Sequence, residues 1–162
     1  MMATAADFVP MRIGKVVGVS VEPDKPAFFV VLNVEGSAER LPILIGSAEA
    51  VTLSARLAGT ELARPMAPQF AASLIAALGG EVRQVLIRLV LLPEGIACGA
   101  TVELAGPAGP AQVDARASDA LNLAVLVSAP ILVAPEVLAD ARHRLAADTA
   151  EASLLRRALA SD

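Results

Sequence analysis

Residues 40–50 read RLPILIGSAEA, an apolar run that meets Gly46 and continues into small residues that favour a helix. The apolar run predicts a strand over residues 40–45. A helix is then expected over residues 48–58, and Gly59 ends it. This junction decides the class of fold, because it joins a sheet strand directly to a helix that is apolar enough to pack on a sheet.

Two further strands are predicted upstream of this junction. Apolar side chains alternate over residues 11–21, and residues 28–34 are rich in Phe and Val. Turn-forming residues bound both stretches. A second helix is expected to begin near Pro65 and to end at Leu78, before two glycines. The first half, residues 11–79, therefore predicts a strand–strand–strand–helix–helix unit.

The same order of elements follows in the second half, residues 81–146. The predicted elements are strands over 82–92, 96–104 and 112–115, a helix over 119–127, a short extended segment over 130–133 and a helix over 135–145. Residues at an offset of 70 correspond, so that Glu49 and Asp119 start the two short central helices. We interpret this as an internal duplication, and predict an α+β fold with two similar β-β-β-α-α halves related by a pseudo-twofold axis.

The composition is that of one globular domain. The chain has 162 residues, 56% of them apolar, which is enough to bury a sizeable core. We expect a leader over residues 1–10, a domain over residues 11–141 and a helical or frayed tail over residues 147–162. No signal peptide, no apolar run of membrane-spanning length and no cysteine besides Cys98 is found in the sequence. The expected location is therefore the cytoplasm, without membrane association.

The charge balance limits the classes of partner. The net charge is −4, so bulk electrostatics do not favour non-specific binding of nucleic acid. Nearly all basic side chains are arginines, which are suited to contacting phosphates locally. Trp and Tyr are absent, which argues against a platform that stacks single-stranded bases. The arginines therefore favour nucleic acid as a partner, whereas the net charge does not.

Three segments resemble motifs of the bifunctional nuclease (BFN) domain family. Residues 41–50, LPILIGSAEA, match a strand-to-helix motif of the form LPIxIGxxEA. Residues 114–121, DARASDAL, match DARPSDAI or DARPSDAL, and residues 129–133, APILV, match the APIxV that follows. The spacing between the three segments also fits. The resemblance extends over about residues 11–141, which is most of the chain.

This resemblance implies a compact mixed fold, self-association and nuclease activity on RNA and DNA, an activity assigned mainly from plant members. Glu49, Asp114 and Asp119 are then the candidate catalytic carboxylates, which would hold Mg²⁺ or Mn²⁺ and orient an attacking water. Arg64 and Arg116 are the candidate phosphate ligands. No organic cofactor is expected, because the sequence has no phosphate-cradling glycine loop and no dinucleotide fingerprint.

The same residues also have structural explanations. Glu49 and Asp119 are each expected in the first turn of a helix, where the helix dipole favours an acidic side chain without any metal. Arg64 and Arg116 can each pair with a nearby carboxylate, such as Asp114 or Asp119, and so lock the fold. Both explanations stay open at the level of the sequence.

One departure from the family pattern concerns catalysis. After Arg64 and a proline the family usually has one residue followed by Thr-His-Asp, whereas this chain has Ala67, Pro68 and Gln69. A hydroxyl, an imidazole and a carboxylate are therefore missing. The alternative function is a non-catalytic domain that binds a ligand or a protein. Its high apolar fraction would then reflect an exposed patch covered by self-association, as a dimer or larger oligomer.

Three other reactive side chains have simpler interpretations. Ser118 is predicted to be the N-cap of the helix that starts at Asp119, rather than a nucleophile. His143, the single histidine, is expected on a solvated surface of the helix over 135–145. Cys98 is expected within a strand, as a small core residue.

Overall fold

A computed structural model of the chain describes residues 10–23 and 26–160, which form one seven-stranded sheet and five helices. The strands are β1 (Arg12–Glu22), β2 (Ala27–Val34), β3 (Arg40–Ile45), β4 (Glu81–Leu92), β5 (Gly95–Ala105), β6 (Ala111–Arg116) and β7 (Ile131–Val133). The helices are α1 (Ser47–Leu57), α2 (Ala67–Ala77), α3 (Ala117–Val127), α4 (Pro135–Ala146) and α5 (Ala150–Ala160). The predicted α+β class is confirmed, and the predicted leader lies outside the described residues except for Pro10.

The sheet consists of two three-stranded meanders on either side of a short central strand. The strand order is β3-β2-β1-β7-β4-β5-β6. All neighbouring strands are antiparallel except β7 and β4, which are parallel. Short turns join the strands of each meander, and such turns favour antiparallel neighbours.

The central strand β7 distinguishes the two halves. It contains only Ile131, Leu132 and Val133, and its two outer side chains are 6% and 0% exposed. Because β7 follows α3, the second half contributes it, and the segment between α1 and α2 provides no matching strand in the structure. The duplication stays a prediction.

The main core lies between the inner face of the sheet and the two central helices. Fully buried side chains come from both meanders, from β7 and from α1 and α3, including Val30, Leu32, Leu53, Val85, Ile87, Leu121 and Val133. Burying such an aliphatic side chain stabilises the fold by roughly 1.5–3 kcal/mol. The core therefore fixes α1 and α3 against both ends of the sheet.

The C-terminal helix α5 packs on the other face of the first meander. Phe29 is 1% exposed and contacts Leu155 and Ala158 of α5, whereas its neighbour Val30 points into the main core. Alternate residues of a strand point to opposite faces, so β2 is covered on both sides. No helix in the described part of the chain is long and apolar enough to cross a membrane. The cytoplasmic location stays a prediction.

The predicted N-cap role of Ser118 is wrong. The residue at the N-cap of α3 is Arg116, and α3 begins at Ala117, so Ser118 lies inside the first turn and is 7% exposed. Arg116 has extended backbone angles and its side chain does not cap the helix. The chain turns earlier than predicted because β6 continues through Arg116 and leads into α3 without a loop.

Candidate functional site

The first turns of α1 and α3 meet, although the strands that lead into them lie at opposite ends of the sheet. Arg116, at the end of β6, reaches Glu49 in the first turn of α1. Near the other ends of the same helices, Arg56 Nη2 donates a hydrogen bond of 3.3 Å to the carbonyl of Leu126. Helices α1 and α3 therefore run side by side in the same direction, and the sheet curls enough to bring its two ends together.

Three charged side chains form a cluster at this meeting point, referred to below as the carboxylate–arginine cluster: Glu49, Arg116 and Asp119. Arg116 Nη2 donates to Glu49 Oε1 at 2.7 Å. The same guanidinium binds Asp119 with two donors, Nε to Oδ2 at 2.8 Å and Nη2 to Oδ1 at 2.9 Å. This two-donor geometry fits the planar fork of arginine. The hydrogen bonds to Asp119 first, and then to Glu49, raise the pKa of Arg116 above its ordinary value, so the guanidinium stays charged.

The three side chains of the cluster differ in how far they are exposed to solvent. The side chain of Glu49 is 17% exposed, that of Asp119 48% and that of Arg116 68%. A solvent-borne anion therefore meets the guanidinium first, while the Glu49 carboxylate lies behind it. Two helix N-termini add partial positive charge at the same point.

Gly46 and Asn122 set the position of Glu49. A Cβ at residue 46 would collide with the Glu49 carboxylate, so glycine is required for that side chain to fold back over the start of α1. Asn122 is 3% exposed, and its Nδ2 donates to the carbonyl of Glu49 at 3.3 Å and to that of Ser118 at 3.1 Å. The backbone of α1 at Glu49 is thus tied to α3.

Two of the predicted site residues lie outside the cluster. The Asp114 carboxylate is 82% exposed and accepts from Arg88 Nη2 at 2.5 Å, while Arg88 Nε donates to Thr101 at 2.9 Å. Arg64 is exposed on a bend between α1 and α2, and no contact between it and the cluster is seen among the described residues. The structure therefore brings Glu49, Asp119 and Arg116 together, without Asp114 and Arg64.

The cluster in this form does not fit a resident metal ion. In the described part of the chain, no group of three or more His, Cys, Asp or Glu side chains is arranged to hold one. Between the two carboxylates that do meet lies the Arg116 guanidinium, whose charge repels a cation at that place. The predicted requirement for Mg²⁺ or Mn²⁺ stays a prediction.

The positions that depart from the family pattern have a structural role in this chain. Ala67 and Pro68 open α2, and Gln69 accepts a hydrogen bond of 3.2 Å from the backbone N–H of Met66 through Oε1. Gln69 therefore satisfies one of the unpaired donors at the start of the helix. His143 is exposed on α4, and Cys98 is half-buried on β5.

Reasoning from the sequence missed the roles of Arg88, Asn122 and Gly46. Asn122 gave a usable signal, because a lone amide inside the apolar run of α3 needs hydrogen-bond partners when buried. Arg88 gave a weaker one, as a charged residue within an apolar strand. For Gly46, only the folded-back position of Glu49 shows that a Cβ would displace this carboxylate.

Comparison with known proteins gives one family and two relatives. A family model described as Bifunctional nuclease domain matches residues 30–146. Two proteins of Mycobacterium tuberculosis, "Uncharacterized protein Rv1829" of strain ATCC 25618 / H37Rv and "Uncharacterized protein MT1877" of strain CDC 1551 / Oshkosh, are each 34% identical over 127 residues. The matched region covers 78% of this chain and 74% of each relative.

Proposed function

The chain belongs to the bifunctional nuclease domain family, as its motifs predicted, and we propose that it cleaves phosphodiester bonds of RNA or DNA at the carboxylate–arginine cluster. The observation that carries this proposal is the meeting of two helix starts around one exposed guanidinium. Both family motifs that contain these residues contribute to it, one through Glu49 and the other through Arg116 and Asp119.

Arg116 is the proposed phosphate ligand. Its guanidinium is the most exposed member of the cluster and already makes a two-donor contact with a carboxylate, a geometry that a phosphate oxygen pair can replace. The two helix N-termini favour an anion at the same place. Arg64 is the second proposed phosphate ligand, acting from the exposed segment before α2.

Glu49 is the proposed general base. When phosphate oxygens take the donors of Arg116, the Glu49 carboxylate loses its partner and is free to accept a proton from an attacking water. The water oxygen forms a bond to phosphorus, the bond from phosphorus to the leaving ribose or deoxyribose oxygen breaks, and that oxygen takes a proton from solvent. Asp119, displaced from Arg116, holds the water or the leaving hydroxyl.

The experiment is cleavage of fluorescent single-stranded RNA and DNA by purified protein, with Mg²⁺, with Mn²⁺ and with chelator. Glu49→Gln and Arg116→Ala should each lower the rate by about 100-fold or more, the usual size for a lost base or charge stabiliser. The matched control is Glu136→Gln, because Glu136 is also an acidic residue in the first turn of a helix but lies on α4.

Two further measurements in the same assay test whether Asp114 takes part in cleavage and whether cleavage needs a divalent ion. Asp114→Asn should change the rate little if the cluster acts alone, and should abolish cleavage if all three predicted carboxylates act together. Chelator stops the reaction only if a divalent ion is required. Cleavage that persists in Glu49→Gln and Arg116→Ala would come from a contaminant and would overturn the proposal.

A second candidate function, a self-associating binding domain, is favoured by one face of α2. Met66, Phe70, Leu74 and Leu78 follow one another at intervals of four residues and are 36%, 60%, 48% and 78% exposed. Residues at this spacing form a continuous stripe on a helix, and an exposed apolar stripe is typical of an interface. We propose that this stripe joins copies of the chain into a dimer or larger oligomer.

Light scattering during size-exclusion chromatography tests the second candidate. Phe70→Glu and Leu74→Glu should convert an oligomer to monomer, because each buries a charge in the interface. Leu91→Glu is the matched control, since Leu91 is 85% exposed at the tip of the β4–β5 hairpin, away from α2. A wild-type protein that is already monomeric would contradict the proposal.

A further inference from the structure

A cleft of about 640 Å³ lies between β3, the end of the β4–β5 hairpin, α4 and α5. Its volume falls within the roughly 300–1,000 Å³ that is usual for small-molecule sites. The walls are mostly aliphatic, with side chains from each bordering element, among them Ile43, Leu92, Ile96, Ala141, Leu154 and Leu155. At one end the cleft reaches Gly46 and Arg116, so it begins beside the carboxylate–arginine cluster.

Two neutral polar groups lie on the apolar wall. Ser118 lines the cleft from the first turn of α3 and is 7% exposed. Cys98 lines the cleft from β5, and burial raises the pKa of its thiol, which therefore stays protonated at neutral pH. A ligand with one hydrogen-bonding group can therefore bind the Ser118 hydroxyl from within the cleft.

The charged side chains that line the cleft balance one another, with Arg116 and Arg144 against Asp140 and Glu151. At the far end, Arg144 contacts Asp140 at 2.7 Å and Glu151 at 3.2 Å, and its third contact is the carbonyl of Ile96 at 2.9 Å. Each of the three guanidinium nitrogens of Arg144 therefore already has an oxygen partner. The lining therefore carries no net charge, which favours an uncharged ligand over an anion that would lose its hydration.

Helix α5 completes the cleft and lies beyond the part of the chain that the family model matches. The match ends at residue 146, and Glu151, Leu154 and Leu155 of α5 form part of the lining. The helix is anchored by Phe29 and by Arg157, whose Nε lies 3.0 Å from Oε2 of Glu22, a side chain that is 3% exposed. This fixed position gives the cleft a defined shape.

We propose that the cleft is a binding site for an uncharged, mainly apolar small molecule that carries one hydrogen-bonding group near Ser118. The aliphatic walls supply the free energy of binding, the Ser118 hydroxyl orients the ligand, and a mostly apolar lining without net charge favours a neutral molecule over a fatty-acid-like anion. The site does not depend on phosphodiester cleavage, so it stands or falls separately from the proposed function.

A pair of fluorescent probes tests the charge selectivity. N-phenyl-1-naphthylamine is uncharged, and 1-anilinonaphthalene-8-sulfonate has a closely similar aromatic body with an added anionic group. The neutral probe should bind saturably with one site per chain, and the sulfonate should bind at least about tenfold more weakly. Equal binding of the two probes would overturn the proposal.

Two substitutions on α4 locate the site. Ala141→Phe fills the cleft and should weaken binding of the neutral probe by at least about tenfold. Ala139→Phe is the matched control, because residue 139 is exposed on the same helix and does not line the cleft. Unchanged binding in Ala141→Phe, with folding verified by circular dichroism, would place the probe on the outer surface and contradict the proposal.

Alkylation of Cys98 tests the site in the unaltered protein, so the test holds even if Ala141→Phe fails to fold. Iodoacetamide, an uncharged reagent, should alkylate Cys98 slowly, and saturating N-phenyl-1-naphthylamine should slow the reaction at least severalfold. An alkylation rate that is the same with and without the probe would contradict a site in this cleft.

Discussion

The β3–α1 and β6–α3 junctions are built alike, but the residue at the turn has no side chain in one and a long charged side chain in the other. In both, an edge strand leads directly into an 11-residue helix with an acidic side chain in its first turn, Glu49 or Asp119. The N-cap residue is Gly46 in one and Arg116 in the other. Glycine leaves space for Glu49 to fold back, and arginine supplies the cation that binds both carboxylates.

The difference shows how one cluster can form from two similar strand-to-helix junctions. The β3–α1 junction provides the space into which Glu49 folds back, and the β6–α3 junction provides the cation, Arg116. The cluster therefore depends on α1 and α3 remaining side by side, and the following substitutions change one junction at a time.

The largest expected effect is on core packing at corresponding positions of the two helices. Leu53 is 1% exposed in α1 and Leu123 is 7% exposed in α3. Leu53→Ala and Leu123→Ala should each lower the free energy of unfolding by about 2–5 kcal/mol. Urea denaturation measures this, with Leu57→Ala as the control because Leu57 is 43% exposed. A negligible loss at either buried leucine would mean that the two helices do not support the core equally.

The second largest expected loss of unfolding free energy distinguishes two buried polar residues at corresponding positions of α1 and α3. Thr52 donates to the carbonyl of Ala48 at 2.9 Å, and Asn122 donates to that of Ser118 at 3.1 Å, but only Asn122 also reaches across to Glu49. Asn122→Leu should therefore cost about 1–3 kcal/mol of unfolding free energy, and Thr52→Val less, about 1 kcal/mol. Urea denaturation of the two variants and of wild type measures both losses. Equal losses would show that the contact between the helices contributes nothing.

Gly46→Ala tests the space at the first junction. The backbone angles at Gly46, φ −77° and ψ 164°, suit alanine, so any loss comes from the collision with the Glu49 carboxylate. We expect about 1 kcal/mol or less in unfolding free energy, in the range for a displaced surface ion pair. Cleavage should fall nearly as far as in Glu49→Gln. An unchanged cleavage rate would show that Glu49 does not need its folded-back position.

Arg116→Ala tests the cation at the second junction. Its side chain is exposed, so the expected loss is about 0.2–1 kcal/mol at low salt, and smaller at high salt. The raised pKa of Arg116 means that its stabilising effect is fully present below the ordinary arginine value and is lost only at still higher pH. The difference between wild type and variant should therefore stay constant from about pH 7 to 10. A difference that disappears within that interval would contradict the ion-pair arrangement.

Local patterns predicted most of the fold but only part of the site. Alternation and turn residues located the strands that form both meanders, and apolar spacing located the helices. The central position of β7 was not predictable, because Ile131 to Val133 is too short to show a pattern and its neighbours are distant in sequence. The N-cap at Ser118 was predicted wrongly, because β6 extends through Arg116 up to the helix.

The site depends on the path of the whole sheet, which no local pattern encodes. Residues 49 and 116 are 67 positions apart and meet only because the sheet curls. Asp114 has a motif position as strong as that of Asp119, yet the pleat of β6 and the register with β5 place it beside Arg88 and Thr101. The sequence motifs contain all three residues of the carboxylate–arginine cluster, and only the tertiary structure separated Asp114 from them.

The most direct test of a site shared by the two junctions is a double-mutant cycle on cleavage of single-stranded RNA. The rates of wild type, Glu49→Gln, Asp119→Asn and the double variant are compared under identical conditions. If the two carboxylates act as one unit around Arg116, the double variant should lose no more activity than the more impaired single variant. Losses that multiply would show that Glu49 and Asp119 act independently and would contradict the account, as would full activity in the double variant.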